Sequence, residues 1–593
     1  MTEQQKPEIK LEVRKNLKKL LPYIWKDKYL FLCGLVAMLF TSCMRLIDPL
    51  ILAHIIDYSV PHHDVKDMFI YAGYFVGVIG LSGLLSYIQI ILLSRLGIKI
   101  ITEFKGHIFD HLLKLPISYF DKNAVGEIIA RVESDSERVR MLFTDLSVAI
   151  LGNIIFFIGI FSVLLWKQWK ITSQLILPLI VMIIAYSFVI RYLNKFYKRS
   201  RVLNADITAK LTEFLQGMPI VQLFNQQKRV IGDLFVSSNE KKNVDIKASF
   251  VEYGFQGIFF FVFNILFVIM IIILTAPKII AHVMTIGTLI VFTQYIARVI
   301  WPLMNISENI TNIQRAFVSL QRIFSITELS TEYETLLGEE EPVFDHSIEF
   351  RNVWFAYDDE EWVLQDVSFL IPKGGKIALV GASGSGKTTT ISLLCGFYRI
   401  QKGEILIDGK NLYQLDMRKW RQKLGLILQD IYLFPGNILE NVRIYNDEID
   451  QLKVDQSIRL VQAQEFVNNL PNGLYSELSE RGQNISQGEK QLISFARAIC
   501  FDPEVVIMDE ATASIDQLTE SRIQQSLHQM LTDKTAVIVA HRLASILDSD
   551  QILMFHEGQI IHRGTHNELL KTAREYQKLV ELQFLSAKEE ACE

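Results

Sequence analysis

The chain is 593 residues long, 50% hydrophobic and 21% charged, with a formal net charge of -5 and a mean hydropathy of +0.24. That balance excludes a disordered or purely solvating chain, gives no sign of a nucleic-acid binder, and at roughly 150 residues per domain predicts several domains. Cys33, Cys43, Cys395, Cys500 and Cys592 stand far apart without CxxC or metal-ligand spacing, so neither a disulfide framework nor a zinc site is expected.

The N-terminal segment 1–28 is basic, with Lys10, Arg14, Lys15, Lys18, Lys19, Lys26 and Lys28. It is not a cleaved signal: the apolar run after it is long, no small-residue cleavage site follows, and more runs come later. Six stretches free of Asp, Glu, Lys and Arg then appear: Tyr29–Met44, Met68–Ser94, Leu146–Trp166, Ile171–Ile190, Tyr253–Pro277 and Ile279–Ala297. A membrane-spanning helix needs about 20 apolar residues. A soluble core rarely calls for so many such runs in one half of a chain, so six transmembrane helices are predicted within residues 29–324.

Lys and Arg near the span ends give the orientation. The connections 95–145 and 191–252 are basic, whereas 57–67 carries Asp57, His62, His63, Asp64 and Asp67. Both termini and the long connections are therefore expected in the cytoplasm, although Lys167 and Lys170 then fall outside. Glu103–Leu115 and Asn204–Gln216 keep helical apolar spacing with almost no Pro or Gly, which predicts helices running well beyond the membrane. Leu115-Pro116-Ile117-Ser118 and Gln216-Gly217-Met218-Pro219 are the natural turn points. Arg45 and Asp48, inside the first span pattern and just before Pro49, read either as a pathway element or as a local ion pair. Glu252 and Arg298 fall near cytoplasmic span ends and receive no role. The aromatic stretch Phe255–Met270 suits hydrophobic substrates and equally suits lipid-facing packing.

After Ala297 a helix is expected to about Phe324, then a linker at 325–345 that contains the acidic stretch Glu332–Glu341 and Pro342. From 346 to 593 short β-rich runs alternate with amphipathic helices, an α/β pattern. Strands are expected at Ile348–Val353, Val363–Ile371, Lys376–Val380, Glu404–Ile407 and Val505–Asp509. Gly381-Ala382-Ser383-Gly384-Ser385-Gly386-Lys387-Thr388 fits the P-loop pattern between a strand and the helical run Thr389–Cys395. Backbone N–H groups across Gly381, Ser383, Gly384, Ser385, Gly386 and Thr389 would cradle phosphate at a helix N-terminus. Lys387 would reach the β- and γ-phosphates, and the Thr388 hydroxyl would bind Mg²⁺. The apolar strand ending in Asp509 and Glu510 suits a magnesium ligand followed by a base that orients water.

Asn484-Ile485-Ser486-Gln487-Gly488-Glu489 lies between these motifs. With it the chain resembles the ATP-binding cassette (ABC) proteins, whose signature reads LSGGQ, and in particular the six-span bacterial exporter half-transporter. The resemblance covers nearly all of the chain. It implies an α-helical membrane domain followed by an ABC-type P-loop NTPase domain, with ATP and Mg²⁺ as cofactors. By the same resemblance Tyr357 stacks on adenine, Gln429 is the Q-loop glutamine at the metal and the attacking water, Ser514-Ile515-Asp516 is the D-loop, and His541 is the switch histidine. The family further implies a head-to-tail pair of cassettes, each ATP held between one P-loop and the partner's signature Ser486 and Gly488. The turns near Leu115–Tyr119 and Glu213–Gly217 match its two coupling helices. The expected activity is ATP-driven export of hydrophobic or amphipathic compounds, drugs or lipids, across the cell membrane; an ATP-gated channel or regulatory subunit is the alternative on the same scaffold. Gln487 and Glu489 depart from LSGGQ while Lys387, Asp509, Glu510 and His541 fit the hydrolytic consensus. That mismatch resembles one half of a heterodimeric exporter, with a homodimer as the other possibility.

Overall fold

The computed structural model describes residues 19–144, 148–335, 338–358, 361–509, 525–540, 547 and 549–581. The chain divides into two compact units, Met1–Leu112 with Val125–Glu328, and Leu113–Ala124 with Leu329–Glu593.

The first unit is helical. Its long helices are α1 (Lys28–His54), α2 (Val65–Leu112), α3 (Asn153–Gln216), α4 (Gln227–Ile280) and α5 (Ile286–Thr327). By length and composition, Lys28–Ser59, Val65–Leu112, Ile150–Gln216 and Gln227–Ile280 can cross a membrane, and Ile286–Val299 is a shorter apolar helix. The charge-free runs map onto these helices, the third and fourth lying on either side of a break in α3 at Gln168 (φ -157°, ψ 88°). At about 1.5 Å per residue, the 48 residues of α2 extend about 70 Å, over twice the ~30 Å hydrocarbon layer. The expected continuation of the spans as helices beyond the membrane follows from that length.

One boundary moves. The run expected at Ile279–Ala297 begins inside α4, and the turn falls at 281–285 instead of at Lys278. His282 takes the left-handed conformation there (φ 55°), and Thr285 caps α5 by accepting from Thr288 N. The expected turn points hold: α2 stops at Leu112 before Pro116, which precedes a short helix Ile117–Lys122. Gly217 ends α3 ahead of a second short helix, Met218–Leu223.

The core of this unit joins Ile160, Leu164, Ile171 and Leu175 of α3 with Phe263 and Phe267 of α4 and Phe292 and Tyr295 of α5. Phe259, Phe263 and Phe267 recur every fourth residue, so they form one buried stripe. Phe263 and Phe267 stack with centroids 4.2 Å apart. Ile258, Phe261 and Ile265 lie exposed on the other side of the helix. The aromatic stretch thus serves helix packing with one face and leaves the other for lipid or cargo.

Asp48 corrects a second expectation. Its partner is Arg298 of α5 and not Arg45: Arg298 Nη1 donates to Asp48 Oδ1 at 2.9 Å, and Nη2 donates to Oδ2. Pro49 explains the rest. Proline has no N–H, and its ring displaces the helical bond to the carbonyl four residues back. That carbonyl belongs to Arg45, and Arg298 Nη1 also donates to it at 2.7 Å. One turn along, the Tyr295 hydroxyl donates to the Leu46 carbonyl. Toward the end of α1, Gly287 N donates to Asp57 Oδ1 at 2.6 Å. A Cβ on Gly287 would sit 2.5 Å from the Ala53 carbonyl oxygen, so only glycine lets α5 approach there. Arg298 therefore acts as the donor for the carbonyl that Pro49 leaves unpaired in α1, a role its expected place at a span end did not suggest.

The second unit carries strands β1 (Ser347–Phe355), β2 (Leu364–Pro372), β3 (Lys376–Gly381), β4 (Lys402–Ile407), β5 (Lys410–Asn411), β6 (Leu424–Ile427), β7 (Gly436–Asn437), β8 (Glu477–Leu478), β9 (Val505–Asp509), β10 (Thr535–Val539), β11 (Gln551–His556) and β12 (Gln559–Gly564). An antiparallel sheet has the order β2-β1-β4-β5, and a larger one the order β12-β11-β3-β10-β9-β6. In the larger sheet β11, β3, β10, β9 and β6 run parallel. Its strands β3, β9 and β10 are apolar on both faces because each face is covered. One cluster holds Trp420, Phe350 and Phe369 between the sheets, and another packs Phe495, Val454 and Leu433 on the opposite side. The sequence reading located β1–β4 and β9 to within a few residues but did not pick out β6, β10, β11 and β12.

The Asp48 bond set predicts a thermal-unfolding result in detergent. Arg298→Met leaves a mostly buried carboxylate and a free carbonyl, and destabilises the protein by about 3 kcal/mol. Adding Asp48→Asn recovers much of that loss; a double variant no better than Arg298→Met alone would refute the pairing.

Candidate functional site

The site is built on the carboxyl edge of the parallel sheet. β3 ends at Gly381 and the chain loops to a helix, α6 (Lys387–Leu394), whose N-cap is Gly386 at φ 105° with no side-chain cap. Uncapped N–H groups at a helix start are open to an anion. The glycines are required by space as well as conformation. A Cβ on Gly386 would lie 2.5 Å from Leu364 Cδ2, and one on Gly381, at φ 148°, 2.3 Å from the Phe555 carbonyl oxygen. The tip Ala382–Gly384 is exposed, whereas Ser385, Gly386 and Lys387 are buried.

Lys387 folds back onto the loop. Its Nζ donates to the carbonyls of Gly381 and Ala382 at 2.9 and 2.8 Å. Burial pushes its pKa down, and the nearby Asp509 carboxylate pulls it partly back up. Thr388 Oγ1 donates to Asp509 Oδ2 at 2.9 Å, and Asp509 is 6% exposed. A hydroxyl and a carboxylate oxygen so close are hard donors of the kind Mg²⁺ accepts, with phosphate and water completing the shell. The residues thus fit the ion, which would neutralise charge on phosphate oxygens.

Gln429 follows β6 by two positions and is exposed. Because Ile427 pairs in parallel with Met508, Gln429 leaves the sheet at the edge where Asp509 ends β9. Tyr357 follows β1; its hydroxyl lies 3.2 Å from Thr389 Oγ1 of α6. The Tyr398 ring is edge-on to it, and with 43% of its surface exposed Tyr357 keeps a face open for stacking.

Ser486 is the N-cap of a further helix, α7 (Gln487–Cys500), in a capping box. Ser486 N donates to Glu489 Oε2 at 2.7 Å, and Glu489 N donates to Ser486 Oγ at 3.3 Å. Ser486 and Gln487 are exposed, and Gly488 is buried. Among the described residues no hydrogen bond links this segment to Gly381–Thr389. The fold brings Lys387, Thr388, Thr389, Asp509 and Tyr357 together, with Gln429 at the same edge. Glu510, Asp516 and His541 lie outside the described residues; the described chain stops one position short of Glu510 at Asp509, and one short of His541 at Ala540.

Sequence reasoning missed the residues at the end of the first short helix. The Tyr398 hydroxyl donates to Asp121, and Lys122 Nζ lies 2.8 Å from Asp358 Oδ1. The sole signal was an Asp-Lys pair soon after a turn, which any solvated loop can carry.

Residues 31–303 match the family described as ABC transporter transmembrane region, and residues 364–513 the family described as ABC transporter. The chain is 34% identical, over 88% of its length and 77% of the relative's, to the probable multidrug resistance ABC transporter ATP-binding/permease protein YheH of Bacillus subtilis. It is 29% identical to an ATP-dependent lipid A-core flippase of Haemophilus ducreyi, covering 97% of this chain and 99% of that one. Its fold resembles the structure of a bacterial Atm1-family ABC exporter with ATP bound, at a TM-score of 0.74 and 23% identity over 94% of this chain and 98% of the other.

Replacing Lys387 with Ala removes the cation from the loop and is expected to lower ATP hydrolysis by about 100-fold or more, measured as phosphate release by the purified protein. Unchanged turnover would rule out the loop as the phosphate site.

Proposed function

The chain belongs to the ABC transporters, and we propose that it is one half of an exporter that moves drugs or lipids across the cytoplasmic membrane. It is a multi-pass membrane protein that hydrolyses ATP to drive transport. The observation that carries the reading is the Thr388–Asp509 contact beneath the Lys387 loop, in a chain that also carries helices long and apolar enough to cross a bilayer. The names of the relatives, multidrug resistance in one case and lipid A-core flipping in the other, support amphipathic cargo. Apolar side chains left exposed on α4, such as Phe261 and Leu266, suit such cargo as well as lipid.

The proposed order of events follows the family resemblance. ATP stacks on Tyr357 and its phosphates meet the α6 N-terminus and Lys387. Thr388, Asp509 and Gln429 would hold Mg²⁺, which when bound would offset charge on the phosphate oxygens. By the family resemblance Glu510 would orient the attacking water, and His541 and Asp516 would serve as switch histidine and D-loop aspartate. Each site would be completed by the signature of a second half-transporter, as the head-to-tail pairing of cassettes in this family implies. Closure of the cassette pair on ATP turns the helices from inward-open to outward-open, and hydrolysis releases them. Six crossings with both termini in the cytoplasm agree with the charge pattern. The second short helix, Met218–Leu223, leaves Ile220 and Leu223 exposed, together with the following Phe224; a partner's cassette would cover them.

A heterodimer is favoured by Glu489. Its carboxylate occupies the N-terminus of α7 by accepting from Ser486 N, where a partner's γ-phosphate would come to rest. A glutamine there could cap the helix equally well without the charge. With Glu489 two anions share one donor set, so the site completed by this signature is the weaker one, and this chain's own Walker residues serve the stronger.

Three measurements test this reading. In proteoliposomes, a panel of dyes and lipids should move with ATP, and Glu510→Gln should slow turnover by about 100-fold or more while ATP stays bound; near wild-type turnover would remove Glu510 as the base. Glu489→Gln should strengthen ATP binding at the site this signature completes, read as tighter nucleotide retention in the assembled transporter; no change would clear Glu489 of weakening it. Vigorous transport by the chain expressed alone would overturn the heterodimer.

A further inference from the structure

The segment Leu113–Ala124 belongs to the same compact unit as the cassette, although in sequence it interrupts the helical unit. Its short helix, Ile117–Lys122, ends beside the residue proposed to stack on adenine. Tyr398 joins the two. Its hydroxyl donates to the Asp121 carboxylate. Its ring stands edge-on to Tyr357, with centroids 5.1 Å apart and planes at 90°, and tilts against Phe355 at 5.6 Å. Its carbonyl accepts from the Tyr413 hydroxyl at 3.1 Å. A cavity of about 870 Å³ lies between this segment and Tyr357.

A ring that stacks on a base works only while its plane is held. Thr389 holds the Tyr357 hydroxyl end, and the Tyr398 ring holds its flank. Tyr398 is in turn fixed by the cassette at its carbonyl and by Asp121 at its hydroxyl, so one anchor comes from the cassette and the other from the inserted segment. The neighbouring Lys122–Asp358 pair is 62% and 81% exposed, and exposed pairs of that kind contribute little. We infer that Tyr398 is a positioning residue for the nucleotide base: through Asp121, the segment Leu113–Ala124 sets the plane of Tyr357 and thereby the affinity for the adenine end of ATP. By reciprocity, nucleotide that fixes Tyr357 strengthens the hold of the cassette on that segment. The inference rests on Tyr357 being the base-stacking residue.

The test uses the full-length protein reconstituted in its transporting assembly. Tyr398→Phe and Asp121→Ala each raise KM for ATP about three- to ten-fold and leave kcat within about twofold. Competition by ADP weakens in parallel, while competition by inorganic triphosphate, which has no base, is unaltered. Asp121→Glu restores part of the affinity. The double variant raises KM no further than either single change, because both remove one bond. Tyr357→Ala separates the two claims. If it leaves ATP affinity unchanged, the stacking assignment falls and takes the inference with it. If it weakens ATP but Tyr398→Phe and Asp121→Ala do not, or if those two lower kcat alone, only the inference falls.

Discussion

The hydrogen bond from Thr388 to Asp509 joins groups 121 residues apart in sequence, and the proposed phosphate chemistry rests on the two groups it brings together. It exists because β3 and β9 run parallel with only β10 between them. Parallel strands end on the same edge, so the residue after each strand faces a common crevice. The buried, apolar character of β3, β9 and β10 makes that arrangement obligatory, since all three must be covered on both faces. The polar groups at their ends then meet at one rim, where Lys387 is already partly desolvated.

A different constraint governs the helical unit. In a bilayer each backbone carbonyl needs a donor from within the protein. Pro49 withdraws one, and the answer comes from α5 through Arg298, which also neutralises Asp48. The ionic groups in this unit thus have a structural explanation that involves two helices far apart in sequence. The same logic places glycine at 287, where α5 comes against the end of α1.

In the proposed heterodimer, the signature helix would differentiate two otherwise similar sites by a single charge. The capping box of Ser486 and Glu489 stabilises the start of α7 in the isolated chain. The groups it satisfies are the ones a neighbouring phosphate would use. Stability of the helix end and avidity for a partner's nucleotide therefore draw on the same few donors, and a charged cap weights the balance toward the former.

The class of this protein was written in local sequence. Charge-free runs must be helices in lipid because no other local structure satisfies the backbone there, and the P-loop is contiguous, so its strand, glycines and lysine could be read together. The expectation for Asp509 rests on an apolar strand ending in a carboxylate taken together with the P-loop earlier in the chain. The strands β6, β10, β11 and β12 escaped because short apolar runs do not distinguish buried strand from buried helix by periodicity. The turn at 281–285 escaped because no charge marks it. What only the tertiary structure decided was who meets whom. Arg298 finds Asp48 and the Arg45 carbonyl, and Tyr398 finds both Asp121 and Tyr357, because contacts between segments hundreds of residues apart are set by how whole helices and sheets pack. No local pattern in the chain records that packing.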